Sequence, residues 1–466
     1  MKFSKKVALD ILNAGLKTGA DYAEIYFQNV FGTSYSRKYA KVYGVTSYKT
    51  EGVGIRLMKG KQQVYGYTSD LSKKSLLKLA GNLSLGFDGQ QILELHDLKI
   101  RKIRKISKIE KDYDSMTTDE KLSYLEEGEK AAFAVSEKVQ DVTTSIGEEN
   151  EHVEIYNSDG DICVDDRIRT RLAVFVVCKD GDSFSEYGNL DEQSKGLELL
   201  DGNDFPAICR QTAKTALEML SAPEGPSGEM PIVLGNGFGG VLFHEACGHP
   251  LEGSAICDNT SVFSGKLGEQ IASSIVNAFD DGTIENGWGS ESIDDEGVEP
   301  TKNQLIKDGI LVNYMLDRYT ARRIDPKMKP TGSCRRESYR YLPTTRMTNT
   351  YIAAGDSDPK DIIASVKNGI YCTAFVGGQV DSSTDQFIFT SDVAYLIKDG
   401  KIDHMIKPVT LIGYGYEILK RITMVGNDLK RASGVCGAAS GSIYVEVGQP
   451  TLLISKMLVG GNGGNQ

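Results

Sequence analysis

The chain has 466 residues, of which 25% are charged and 40% hydrophobic, and its formal net charge is −11. This length allows two or three domains with sizeable cores, and the acidic balance argues against a nucleic-acid backbone as partner, since clustered Lys and Arg would have to neutralise it. No run approaches the roughly 18 apolar residues of a membrane span, and eight scattered cysteines fit small buried hydrophobes in a reducing cytoplasm.

Met1 to Lys17 reads as an amphipathic helix rather than a signal peptide, because Asp10, Asn13 and Lys17 interrupt any apolar core. Tyr22 to Phe27 and Val53 to Met58 have strand character, and Ser72 to Leu85 is helical. The segment from Lys99 to Lys111 alternates Ile100, Ile103 and Ile106 with Arg101, Lys102, Arg104, Lys105 and Lys108. It reads as a half-buried strand or a charged connector with a solvated face, not as a nucleic-acid patch. Thr117 to Val139 is the clearest helix, with Thr117 and Thr118 ahead of Glu120 as a cap. Strands follow over Glu154 to Ser158 and Ile168 to Cys178, with the Asp159-Gly160 pair as a turn signal. A helix is expected from Phe205 to Ser221.

Ser221-Ala222-Pro223-Glu224-Gly225-Pro226-Ser227-Gly228 has linker composition. The expected organisation is therefore an α+β chain with a mixed N-terminal domain (residues 1–222), a linker (223–228) and a strand-rich C-terminal domain (229–466). The Gly/Asn-rich tail, 460–466, is expected to be disordered.

Two of the chain's five histidines fall in His244-Glu245-Ala246-Cys247-Gly248-His249. Neutral imidazoles hold a zinc-like ion, and an adjacent glutamate that is not a ligand takes a proton from the water the ion activates. The usual H-E-x-x-H spacing puts both histidines on one helical face. Here the gap is one residue longer, which on a regular helix sets the two about 140° apart. A π-bulge could absorb the extra residue. Alternatively the helix ends at Gly248, with Pro250 forbidding continuation; because the sequence itself supplies this second device, it is the expected one. Gly235 to Gly240 satisfies G-x-G-x-x-G after the strand-like run Met230 to Leu234. The short helix that follows argues against a dinucleotide turn, and the glycines are expected to let backbone pass close by. Cys247 and Cys436, the latter in a Gly-flanked loop, are both candidates for a third ligand, and spacing does not choose between them.

Several further blocks accompany this motif: Leu251 to Gly253, in which Glu252 is given no role, Thr260 to Gly265, Asp280 to Thr283, Ile293 to Gly297, Arg335 to Tyr339, Arg346 to Thr350, Gly377 to Asp381, Gly426 to Leu429, Gly434 to Gly437 and Gly448 to Leu452. Together they resemble the metallopeptidase branch of the TldD/PmbA family across nearly all of the second domain. The resemblance implies His244, His249 and Cys436 as metal ligands, Glu245 as general base, and Zn2+ (iron as the alternative) as the ion. It implies hydrolysis of small or unfolded peptides, and a dimer with a second copy or with a PmbA/TldE-like paralogue. Pro250, Asp385-Gln386 and Tyr444 depart from the family pattern; none is an implied ligand. His404, Tyr339 and Arg346 are candidates to stabilise an oxyanion, with a packing or surface role the expected alternative for each, and Arg346 to Tyr351 could equally offer an extended edge to substrate or form a core strand. The alternative reading is a non-catalytic modulator that binds a gyrase- or toxin-related protein.

Overall fold

The computed structural model describes residues 1–461 except 382, 383 and 385. Asp385 and residues 462–466 of the expected tail therefore lie outside the described residues, while Gly460 closes the strand Leu452–Gly460.

The N-terminal half is built on a seven-stranded sheet. Its central strands are very long: Tyr22–Lys38, Lys41–Lys59, Val139–Asn157 and Asp161–Asp180 run antiparallel to one another. Alternation along each strand gives the sheet two different faces. On one, Ile25, Phe27, Val53 and Leu57 meet the helices Lys5–Leu16 and Lys73–Ser84. Further along the same sheet, Val142, Ile146, Leu172 and Val174 meet the helices Thr118–Phe133 and Phe205–Ser221. Thr117 and Glu120 form a reciprocal capping box, as their spacing predicts. That helix stops at Phe133, so Val139 opens a strand instead of ending the helix.

The other face carries charge. Arg56, fully buried, donates to Glu24 (2.8 Å) and to Glu296 of the C-terminal half (2.6 Å). Arg169 and Arg335 both donate to Glu291, at 2.9 and 3.0 Å. The two halves thus meet through a buried ionic layer in which each charge needs its partner. The basic segment after Lys99 is a connector: only Lys99–Ile100 is strand, Arg101 donates to Glu299 (2.8 Å) and Lys108 to Glu285 (2.7 Å).

In the C-terminal half, Asn368–Asp381, Gly228–Leu234, Leu452–Gly460, Thr410–Tyr414 and Gln386–Lys398 pair in turn, and the last pairs back on the first, closing a ring of five strands. A second, six-stranded sheet runs Ile310–Leu311, Lys302–Lys307, Ala278–Asp281, Asn349–Ile352, Gly441–Gln449 and Lys430–Ala438. One apolar core joins the two and includes Phe243, Ala246, Cys247, Leu251, Met347 and Phe389. The irregular helical segment 237–251 runs through this core, which is where the motif sits.

Among the described residues no helix is long and apolar enough to cross a membrane. The glycines after Leu234 do not form a dinucleotide turn. A Cβ at Gly240 would lie 2.5 Å from the backbone nitrogen of Gly448, so glycine there lets the Gly441–Gln449 strand pass against the helical segment.

Candidate metal centre

The segment changes its winding three times within fifteen residues. Gly237–Gly240 is a 3-10 turn, Val241–Phe243 is α-helical, His244–Gly248 is a π turn, and His249–Leu251 is again 3-10. The sequence favoured a helix end at Gly248; instead the chain stays helical through it, and the His249 N–H donates to the His244 carbonyl. The π turn absorbs the extra residue, and Pro250 is the second residue of the 3-10 turn His249–Leu251, in a first turn where its missing N–H costs nothing. The two imidazoles consequently project together, with ring centroids 5.1 Å apart and planes nearly perpendicular at 84°.

Cys436 arrives from the strand Lys430–Ala438, almost 190 residues further along. Its Sγ lies 3.3 Å from His244 Nε2 and 3.2 Å from His249 Nε2. Among the described residues, His244, His249 and Cys436 are the group whose ligand atoms all lie within 4.8 Å of one another. Cys247 is not part of it; its side chain is fully buried in the apolar core with Leu242 and Leu251. Glu245 is partly open to solvent at 22%, with Oε2 3.8 Å from His249 Nε2.

The electrostatics divide the two histidines. Burial, then the charges of His249 and Arg346, hold His244 well below the usual imidazole range. Burial also opposes charge on His249, but the Glu252 carboxylate and Cys436 outweigh it and hold that ring well above the usual range. Burial raises the Glu245 carboxyl, with His249 opposing it. A proton between His249 and Cys436 and a cation held between them are alternative ways to satisfy the same lone pairs. Two imidazoles and one thiolate suit a borderline-soft ion such as zinc and leave one tetrahedral position for water or substrate.

One partner escaped the sequence reading. Glu252 Oε1 lies 3.1 Å from His249 Nδ1, the carboxylate–histidine contact that fixes which ring nitrogen is available to a metal. The His249-to-Glu252 spacing of three could have shown it. Two of the three oxyanion candidates fall elsewhere. Tyr339 packs with Tyr26, Val153 and Ile155 between the two halves, and His404 is exposed beside Asp403. Arg346 is at the site but fully buried, donating to the Cys436 carbonyl at 2.6 Å.

Of the two readings of Arg346 to Tyr351, substrate edge or core strand, the structure shows the core strand. Asn349–Ile352 is flanked on both sides, by Ala278–Asp281 and Gly441–Gln449. The sheet ends at Lys430–Ala438, the strand that carries Cys436. Beside that edge a cavity of about 1220 Å³ opens toward Ser183–Gln193, lined in part by Phe184, Phe238, Phe375, Arg431 and Ser433.

Fold and cluster together bring the Cys436 Sγ from a sheet edge against the two imidazoles of an H-E-x-x-x-H π turn, a donor set able to hold a metal ion. The chain belongs to the PmbA/TldA metallopeptidase family: the family's C-terminal domain matches residues 227–461, its central domain 111–220 and its first domain 23–84. A relative from Haemophilus influenzae described as a metalloprotease TldD homolog is 38% identical, covering 98% of this chain and 96% of its own. One from Saccharolobus solfataricus described as a zinc metalloprotease TldD homolog is 26% identical over 95% of this chain and 97% of its own. The fold is shared with TldE from Thermococcus kodakarensis (TM-score 0.73, 18% identity, 94% of this chain and 97% of that one). It is shared also with a Thermotoga maritima chain described as a candidate modulator of a DNA gyrase (TM-score 0.77, 19% identity, 94% and 96%).

Proposed function

We propose that this protein is a metal-dependent peptidase acting on small or unfolded peptides, with His244, His249 and Cys436 as ligands of a zinc-type ion and Glu245 as general base. The observation that carries the reading is the meeting of two imidazoles and a cysteine Sγ from distant parts of the chain within 4.8 Å. The metalloprotease descriptions of its full-length relatives support the same activity, and the zinc description of one supports the choice of ion over iron.

When bound, such an ion polarises a peptide carbonyl and makes water acidic enough to lose a proton near neutral pH. The chain's own residues do the rest. Glu245, raised by burial and beside His249, accepts the water's proton and returns it to the leaving amine. Glu252 holds the His249 ring by Nδ1, leaving Nε2 toward the cluster. The unpaired edge of Lys430–Ala438 offers backbone donors and acceptors to an extended peptide, a mode that tolerates varied side chains. The cavity beside it provides room for the flanking residues.

The working unit in this reading is a cytoplasmic dimer, formed with a second copy or with a paralogue like the TldE whose fold it shares. The two halves divided by residues 223–228 act as its N-terminal and metallopeptidase domains. A gyrase- or toxin-binding modulator would not need the clustered ligands, so we rank it second.

Metal content by plasma mass spectrometry, with peptide hydrolysis on the same samples, tests the proposal. About one zinc or iron per chain, lost together with hydrolysis in His244→Ala, is expected. Metal-free wild-type protein, or hydrolysis that survives His244→Ala, overturns it.

A further inference from the structure

Arg346 has contacts that its burial alone does not require. It is among the largest fully buried side chains, at 1% exposed. A guanidinium cannot be discharged by losing a proton, so every N–H it carries asks for an acceptor. One terminal nitrogen donates to the Cys436 carbonyl at 2.6 Å. The other donates to Ser440 Oγ at 3.0 Å and to the Gly441 carbonyl at 2.9 Å. These three acceptors bracket the tip of the hairpin between Lys430–Ala438 and Gly441–Gln449.

Among the described residues the ladder gives Lys430–Ala438 a neighbour on one side only, so the backbone at Cys436 is held by pairing from one direction. Arg346 supplies a second anchor, at the very residue whose Sγ faces both imidazoles. Its remaining nitrogen, Nε, has no hydrogen-bond partner among the described residues and lies 3.8 Å from Glu252 Oε1. That same oxygen is the one 3.1 Å from His249 Nδ1. One rigid fork therefore touches the hairpin that carries Cys436 and the carboxylate that orients His249.

We propose that Arg346 is a positioning residue of the centre, clamping the Cys436 hairpin against the two imidazoles and, through Glu252, fixing the ring of His249. This rests on the reading of His244, His249 and Cys436 as ligands. Planarity and fixed donor directions make the role specific to arginine. A lysine presents a single flexible ammonium and cannot reach the hairpin tip and the Glu252 side in one geometry.

The test is titration of the metal-stripped full-length chain with Co2+, followed by visible and near-ultraviolet absorption. The thiolate-to-cobalt charge-transfer band reports Cys436, and the titration reports affinity. Arg346→Met should weaken Co2+ binding about 10–100-fold or more, the range for loss of outer-shell partners, and should lose most of the thiolate band. Arg346→Lys, the milder variant if Met prevents folding, should restore part of the affinity and part of the band. Glu252→Gln should weaken binding yet keep the band at saturating Co2+, because it loosens His249 while Arg346 keeps its three acceptors on the Cys436 hairpin. Arg56→Met is the control: equally buried, it bridges Glu24 and Glu296 away from the cluster, and its folded fraction should bind Co2+ with a wild-type band.

A folded Arg346→Met or Arg346→Lys chain with wild-type affinity and a full band overturns the inference. So does a spectrum indistinguishable from that of Arg56→Met. A wild-type chain that binds no Co2+ through a thiolate removes the metal-centre reading itself, and this inference with it.

Discussion

The backbone N–H of His249 donates to the carbonyl of His244, five residues back rather than four, and that bond decides where both imidazoles point. It leaves little room behind it. A Cβ at Gly248 would sit 2.1 Å from Met347 Sδ, in the packed core. Gly248→Ala should therefore cost about 1–3 kcal/mol, as overpacking does, and should push His249 away from Cys436. Thermal unfolding should show a lower midpoint, and metal affinity should fall with it. A variant with wild-type stability and affinity would mean that the close fit at Gly248 does not hold the turn.

The two candidate cysteines differ in what surrounds them. Cys436 Sγ has an imidazole nitrogen on either side, at 3.3 and 3.2 Å, whereas Cys247 is fully buried among apolar side chains. Cys436→Ala should remove most of the zinc affinity measured by competition with a chelator. Cys247→Ala should keep zinc and instead lose about 1 kcal/mol of stability, through the small cavity left in the core. Equal loss of affinity in both would reopen the ligand assignment.

Much of this fold was legible where local chemistry decides it. The Phe205–Ser221 helix begins and ends as expected, because Asp204 caps it and Pro206 sits in its first turn. The length of the N-terminal hairpin was not legible. Tyr22 to Phe27 was read as a strand, yet it continues to Lys38. Its partner is exposed over most of Lys41 to Lys49, so the outer part of that second strand shows no inward face and no alternation. At the site, the motif located two histidines and a glutamate, but not how the turn would close. A π turn and a helix stop use the same residues, and core packing chose between them. Cys436 is a candidate by its Gly-flanked loop, but only the family resemblance chooses it over Cys247, since no local pattern links residues so far apart. Glu252 was missed although its spacing from His249 was in plain sight.

Glu245 is half-shielded and 3.8 Å from His249, close enough to exchange a proton with a water at the cluster but without a place among the three grouped ligand atoms. Glu245→Gln keeps the shape and removes the base. Zinc content should stay at the wild-type level while kcat falls by about 10²–10⁴, the usual contribution of general acid–base catalysis. Peptide hydrolysis by the zinc-loaded variant at the wild-type rate would show that another group moves the proton.

Asp280 offers a test through pH. It lies in the strand Ala278–Asp281, accepting from the Thr348 N–H at 2.7 Å, Thr350 Oγ1 at 3.1 Å and Ser333 Oγ at 3.4 Å. Burial nevertheless dominates these bonds and pushes its carboxyl up to about 6 from 3.8. A carboxyl raised on folding binds its proton more tightly in the native state. Its contribution to stability is therefore fully present below the unfolded value and is lost as pH rises through about 6. The shift corresponds to roughly 3 kcal/mol. Asp280→Asn stays neutral at every pH, and its amide can donate to Ser333 Oγ. Urea unfolding of both chains should show the wild type losing up to about that amount relative to the variant between pH 4 and pH 7. A constant difference across that range would mean that Asp280 is ionised in the folded chain throughout, with its three hydrogen bonds outweighing its burial.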